Sequence, residues 1–105
     1  MAIVALYARV SSDKQVSENT IDSQIAAIEN RIISDNHKLF DELKFIDNGY
    51  SGTNLVRPGL EKLRDKVFEG GIEKIYIYSP DRLSRKYGHQ MLLIEEFEKS
   101  NTPLP

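Results

Sequence analysis

Ile3-Val4-Ala5-Leu6-Tyr7-Ala8-Arg9-Val10 is a mostly apolar run with one charge near its end, and it reads as a β-strand. Ser11–Asn19 beyond it is polar, lacks periodicity and reads as a loop. From Thr20, a plausible N-cap with Asp22 in the first turn, Ile21, Ile25, Ile28 and Ile32 recur at helical spacing to about Asp35. Leu43–Asp47 is a second short strand, and Asn48–Asn54 a loop of turn formers. Pro58 suits the first turn of a second helix, Leu60, Leu63 and Val67 form its apolar stripe, and Gly70-Gly71 ends it. Ile72–Tyr78 is the third strand and Ser79-Pro80 breaks it. A third helix from about Arg82 carries Met91, Ile94 and Phe97 to about Lys99.

The order βαβαβα predicts an α/β domain of three layers, a mostly parallel central sheet with helices on its faces and right-handed crossovers. All strands then point the same way. In such sheets ligands bind beyond the carboxyl ends of the strands, where Arg9/Ser11, Ser51/Arg57 and Asp81/Arg82/Arg85 all fall. The 105 residues suffice for one domain with one core. Ending at Asn101-Thr102-Pro103-Leu104-Pro105, where the alternation calls for a further strand, the chain reads as a fragment of a longer protein.

With 40% hydrophobic and 29% charged residues, the composition is that of a globular protein and not of a disordered or fibrous one. No cysteine is present, which removes disulfides, thiolate metal sites and a cysteine nucleophile, and fits a reducing compartment; the cytoplasm is the expectation. The first apolar run is too short for a membrane span and lacks the flanks of a secretory signal. A net charge of −2 argues against a free-standing nucleic-acid-binding domain. Segments 7–15, 47–58 and 79–89 nevertheless carry +3 against −5 elsewhere, a focused positive site on an acidic body.

Two clusters, Tyr7-Ala8-Arg9-Val10-Ser11 and Asp81-Arg82-Leu83-Ser84-Arg85, stand where strands end. They offer a hydroxyl nucleophile and three guanidiniums, whose permanent charge and planar fork of donors match phosphate oxygens. Phosphoryl transfer is the chemistry this suits. His37 and His89 have no metal-ligand spacing, no paired carboxylates would hold two cations, and neither Gly-x-Gly-x-x-Gly nor a P-loop occurs, so no cofactor is expected. Tyr76 and Tyr78 alternate with Ile75 and Ile77 and read as packing residues.

These clusters, with Gln15, Gln24, Asp47-Asn48-Gly49-Tyr50-Ser51-Gly52 and Arg57-Pro58-Gly59-Leu60, resemble the catalytic domain of the serine recombinases, the resolvase, invertase and large serine integrase or transposase group. The resemblance spans essentially the whole chain and implies a resolvase-like fold. It implies that Ser11 attacks a DNA phosphodiester, forms a 5′-phosphoserine link and releases a 3′-hydroxyl, with a later 3′-hydroxyl rejoining the strands. Arg9, Arg82 and Arg85 would surround the scissile phosphate, with Arg57 a fourth contributor from a mobile loop; Tyr7, Gln15 and Gln24 complete the candidate set. Asp81 would act as general acid to the leaving oxygen or orient an arginine. The acceptor of the Ser11 proton stays open, since an arginine is a poor base. Implied partners are double-stranded DNA and a homodimer that assembles to a tetramer, with an oligomerisation helix and a DNA-binding domain downstream of Pro105.

Plainer roles compete for several of these residues. Ser11 and Ser12 can bond a loop backbone, Arg9 can form a structural ion pair, Asp81 can cap a helix, and Asp81 with Arg85 has the spacing of a helical salt bridge. Two other functions stay open: a catalytically silent dimerisation or regulatory module on DNA, and an α/β phosphohydrolase acting on a small phosphoester.

Overall fold

The structure, a computed structural model, describes residues 2–10, 21–49, 55–79 and 82–102. Its elements are β1 (Ile3–Val10), α1 (Ile21–Ser34), β2 (Lys38–Asn48), α2 (Pro58–Glu69), β3 (Lys74–Ile77) and α3 (Tyr87–Lys99). The strands form one parallel sheet in the order β2-β1-β3. From β1 the chain moves outward to β2 and then crosses back over β1 to reach β3. Right-handed crossovers in opposite directions put their helices on opposite faces, and the core divides accordingly. Val4, Leu6, Ala8 and Tyr76 pack with Ile28 and Ile32 of α1. Ala5, Tyr7, Phe45 and Ile75 pack with Leu60, Leu63 and Val67 of α2 and with Leu93 and Phe97 of α3.

Alternation along β1 explains this division, because successive side chains of a strand point to opposite faces. Both faces are covered, so Val4 through Ala8 are all fully buried and the run carries no polar face. Full burial of each α2 core residue contributes roughly 1.5–3 kcal/mol, more than a helix of this length gains from propensity.

The predicted order and the path of β1 agree with the structure, and the bounds of three elements do not. β2 begins at Lys38 and not Leu43, because Ile3 and Val4 pair with Lys38 and Leu39 before residues 40–43 bulge out opposite Ala5. That bulge breaks the period on which the prediction relied; within it Asp41 bonds Lys44, which also reaches Glu29 of α1 at 2.6 Å. β3 spans only Lys74–Ile77. α3 starts at Tyr87 and not near Arg82, so residues 82–86 form irregular turns, and Asp81 lies outside the described residues. The stripe of α3 is centred on Leu93 and Phe97, leaving Met91 37% exposed.

Helices α1 and α3 end alike. Asn36 and Asn101 take positive φ of 59° and 58°, and the following amides return to carbonyls five residues back, His37 to Ile32 and Thr102 to Phe97. This is the Schellman closure with asparagine at the left-handed position. Among the described residues no helix is long and apolar enough to cross a membrane.

Candidate active site

Strand order reverses between β2 and β3 on either side of β1, so the crevice of the sheet opens at the carboxyl ends of β1 and β3. Arg9 lies there opposite Asp47, on the same face as Tyr7. The Tyr7 hydroxyl donates to Asp47 Oδ2 at 2.7 Å and accepts from Arg57 Nη1 at 3.0 Å. Asp47 also accepts the amides of Gly59 (Oδ1, 2.7 Å) and Leu60 (Oδ2, 3.0 Å). The N-cap residue of α2, Arg57, forms no side-chain cap. A carboxylate from β2 satisfies the first free amides instead and places negative charge at the helix N-terminus.

The Arg57-Pro58-Gly59-Leu60 run has a physical reading in this setting. Pro58 fits the first helical turn, where no amide hydrogen is needed. A Cβ on Gly59 would stand 2.8 Å from Asp47 Oδ1 and 2.9 Å from the Ile46 carbonyl, so the close approach requires glycine. Leu60 enters the core. Arg57, expected on a mobile loop, is only 1% exposed at the start of α2. Its Nη1 also donates to the Arg82 carbonyl at 3.0 Å and its Nη2 to the Leu83 carbonyl.

Arg9 is fully buried, and its Nε donates to the same Arg82 carbonyl at 3.0 Å. Gln24, buried on α1, donates to the Arg9 carbonyl at 3.2 Å and holds the end of β1 from the opposite face. Arg82 lies 6.0 Å from the Tyr78 ring centroid, and Arg85 is exposed. Burial above all, then the neighbouring Arg57, pushes the Arg9 guanidinium below its ordinary range, with Arg82 and Arg85 adding repulsion against an opposing contribution from Tyr7. Three arginines thus act on Arg9 at a single edge. Arg9 still stays cationic at neutral pH, and the cluster is a site of focused positive potential. Burial and the bond to Asp47 push the Tyr7 hydroxyl upward, against Arg57. It stays protonated at neutral pH and links Asp47 to Arg57.

The family model described as Resolvase, N terminal domain, matches residues 4–104. The chain belongs to this family. Among relatives of this resolvase-type domain, a candidate DNA recombinase of Bacillus subtilis (strain 168) is 40% identical over 103 residues, covering 97% of the chain and 20% of the relative. The transposon Tn3 resolvase of Escherichia coli is 35% identical over 92 residues, covering 88% of the chain and 43% of the resolvase. The chain therefore spans less than half the length of either. The N-terminal catalytic domain of TP901-1 integrase superposes with a TM-score of 0.84 at 27% identity, covering 95% of this chain and 72% of that one. The C-terminal catalytic domain of ISC1926 TnpA, an IS607-like serine recombinase, gives 0.84 at 27% identity over 98% and 68%. The resolvase-like α/β architecture is thereby established.

Of the predicted site residues, the domain brings Tyr7, Arg9, Gln24, Arg57 and Arg82 into one bonded cluster, with Arg85 close enough to repel Arg9. Ser11, Gln15 and Asp81 lie outside the described residues. Asp47 was missed as a site residue, although it joins Tyr7 to α2 and is 1% exposed. Two signals pointed to it: a lone carboxylate ending an apolar strand, and a glycine inside a first helical turn, where glycine is unfavourable.

Proposed function

We propose that this chain is the catalytic domain of a site-specific DNA recombinase that cuts and rejoins DNA through a 5′-phosphoserine on Ser11. The observation that carries this reading is the gathering of Arg9, Arg57, Arg82 and Arg85 at the carboxyl edge of β1, one residue before Ser11. The names of the relatives, recombinase and resolvase, support DNA as the substrate. Ser11 Oγ bonds to phosphorus and loses its proton as the bond from phosphorus to the 3′ oxygen breaks, and that oxygen gains a proton. Asp81 either delivers it or orients an arginine. The linkage is conserved in the covalent intermediate, so rejoining is the reverse attack by a 3′-hydroxyl and needs no nucleotide hydrolysis. The guanidiniums stabilise the added negative charge of the pentacoordinate phosphorus. The full-length protein acts as a homodimer that assembles to a tetramer on two DNA sites, with further DNA contacts supplied downstream of Pro105. It works in the compartment that holds the DNA, the cytoplasm.

The test is full-length protein incubated with nicked DNA from the ends of its own element, followed by mass spectrometry. An adduct on Ser11 that disappears in Ser11→Ala, with folding unchanged, is the expected result. Cleavage by Ser11→Ala overturns the assignment. Binding without an adduct in the unmodified protein favours the silent regulatory module, and turnover of free phosphate esters without DNA favours the phosphohydrolase.

A further inference from the structure

The segment that carries Arg82 and Arg85 has no regular secondary structure, yet Leu83 and Ser84 within it are fully buried. A buried irregular backbone must find partners for its carbonyls elsewhere. Three successive carbonyls find them in long side chains from three different elements. Arg82 O accepts from Arg9 of β1 and Arg57 at the start of α2, Leu83 O from Arg57, and Ser84 O from Gln90 Nε2 of α3 at 2.7 Å. Ser84 Oγ in turn accepts the Lys86 amide at 3.1 Å.

Two of these donors differ from the third in kind. Arg9 and Arg57 are cations that the proposed reaction draws toward phosphate, so their grip on the backbone competes with substrate. Gln90 is neutral and stands on the rigid helix that follows. A neutral amide gains little from a phosphate that two guanidiniums already face. We infer that Gln90 is a positioning residue: by holding the Ser84 carbonyl it fixes the turn between Arg82 and Arg85, and so keeps both guanidiniums aimed at the reacting phosphate while Arg9 and Arg57 engage it. This rests on the recombinase reading above.

Gln90→Met keeps the length and shape of the side chain and removes its donor. In the full-length protein with saturating nicked DNA, the single-turnover rate constant for adduct formation is expected to fall about five- to tenfold, in proportion to one lost hydrogen bond. The amplitude and the DNA affinity stay within twofold. A residue that merely supports folding would lower the amplitude and the melting temperature and leave the rate constant of the remaining active molecules alone; that result overturns the inference.

Amide hydrogen exchange supplies a readout that needs no cleavage. Gln90→Met is expected to speed exchange at Lys86 and Arg82 at least fivefold while the amides of Leu93 and Phe97 in α3 stay protected. Uniform acceleration through α3, or no change at Lys86, overturns the proposal. Failure of the recombinase reading itself shows separately, as absence of an adduct in the unmodified protein or its persistence in Ser11→Ala.

Discussion

The two ends of the sheet are built differently. At the amino end the strands close through main-chain bonds, Lys38 N to Ala2 O at 2.8 Å and Glu73 N to Ile3 O at 2.9 Å, and Thr102 is the one buried polar side chain there among the described residues, bonded to Ile72 O. At the carboxyl end the buried polar residues are Arg9, Gln24, Asp47, Arg57 and Ser84. One end is held mainly by main-chain bonds, with neutral side-chain bonds from His37 and Thr102 beside them, the other by a network of charged side chains. Burying like-charged guanidiniums together opposes folding, and their bonds to backbone carbonyls and to the Tyr7 hydroxyl, itself bonded to Asp47, compensate for it. The proposed recombinase reading accounts for the difference: a phosphate-binding edge gathers like charges at some expense in stability, and the apolar layers on both faces of the sheet offset it.

The largest break in that comparison is Asp47→Ala. It removes the acceptor of the Tyr7 hydroxyl and of two amides in the first turn of α2, all of them buried. Each buried donor left without its acceptor costs about 1–3 kcal/mol, so three together amount to roughly 3–5 kcal/mol or more. Urea unfolding should show a loss of that size, with cleavage abolished in the full-length protein. A loss below about 1 kcal/mol would mean that the carboxyl end does not depend on its side-chain network.

This division also explains what was legible in the sequence. The strand Ile3–Val10, the stripe Leu60, Leu63, Val67 and the order of elements follow from periodicity, because they express burial of apolar area, and the structure has them. The clustering of Arg9, Arg57 and Arg82 was legible only as a placement at strand ends. Their bonds to the carbonyls of residues 82 and 83 were not, since a side chain bonded to distant backbone leaves no periodic trace. The start of α3 was misplaced for the same reason: residues 82–86 look helical in composition, but the carbonyls of residues 82–84 accept from the side chains of Arg9, Arg57 and Gln90, and the first carbonyl that accepts an amide of α3 is that of Lys86, from Gln90.

Alkaline pH sharpens the contrast by a smaller effect. Burial, followed by its bond to Asp35 at 2.5 Å, pushes Tyr76 up to about 12 from 10.0, and Tyr7 is shifted in the same direction. Each hydroxyl is neutral when protonated, so its folded state holds the proton more tightly than the unfolded one. The stabilisation is complete below pH 10 and is lost as pH rises from 10 through the folded-state values. The slope is about 1.4 kcal/mol per pH unit for each tyrosine while the unfolded form alone has lost its proton. Denaturant unfolding from pH 9 to 12 should show this decline, and Tyr7→Phe and Tyr76→Phe should each make it shallower. An unchanged slope in Tyr7→Phe would place that hydroxyl outside the buried network.

The smallest expected effect belongs to the amino end. Thr102→Val keeps the volume and removes the hydroxyl that donates to Ile72 O at 2.9 Å, while the Thr102 amide that closes α3 on Phe97 O remains. One neutral hydrogen bond contributes about 1 kcal/mol net, and no guanidinium loses a partner. Thermal unfolding should shift by a few degrees, with the single-turnover cleavage rate of the full-length protein unaltered. That combination, a stability loss without a rate loss, is what separates a fastening from a site. If Thr102→Val destabilised as much as Asp47→Ala or slowed cleavage, the two ends would be one cooperative network, because a bond at the amino end of the sheet would then be setting the geometry of the arginine edge.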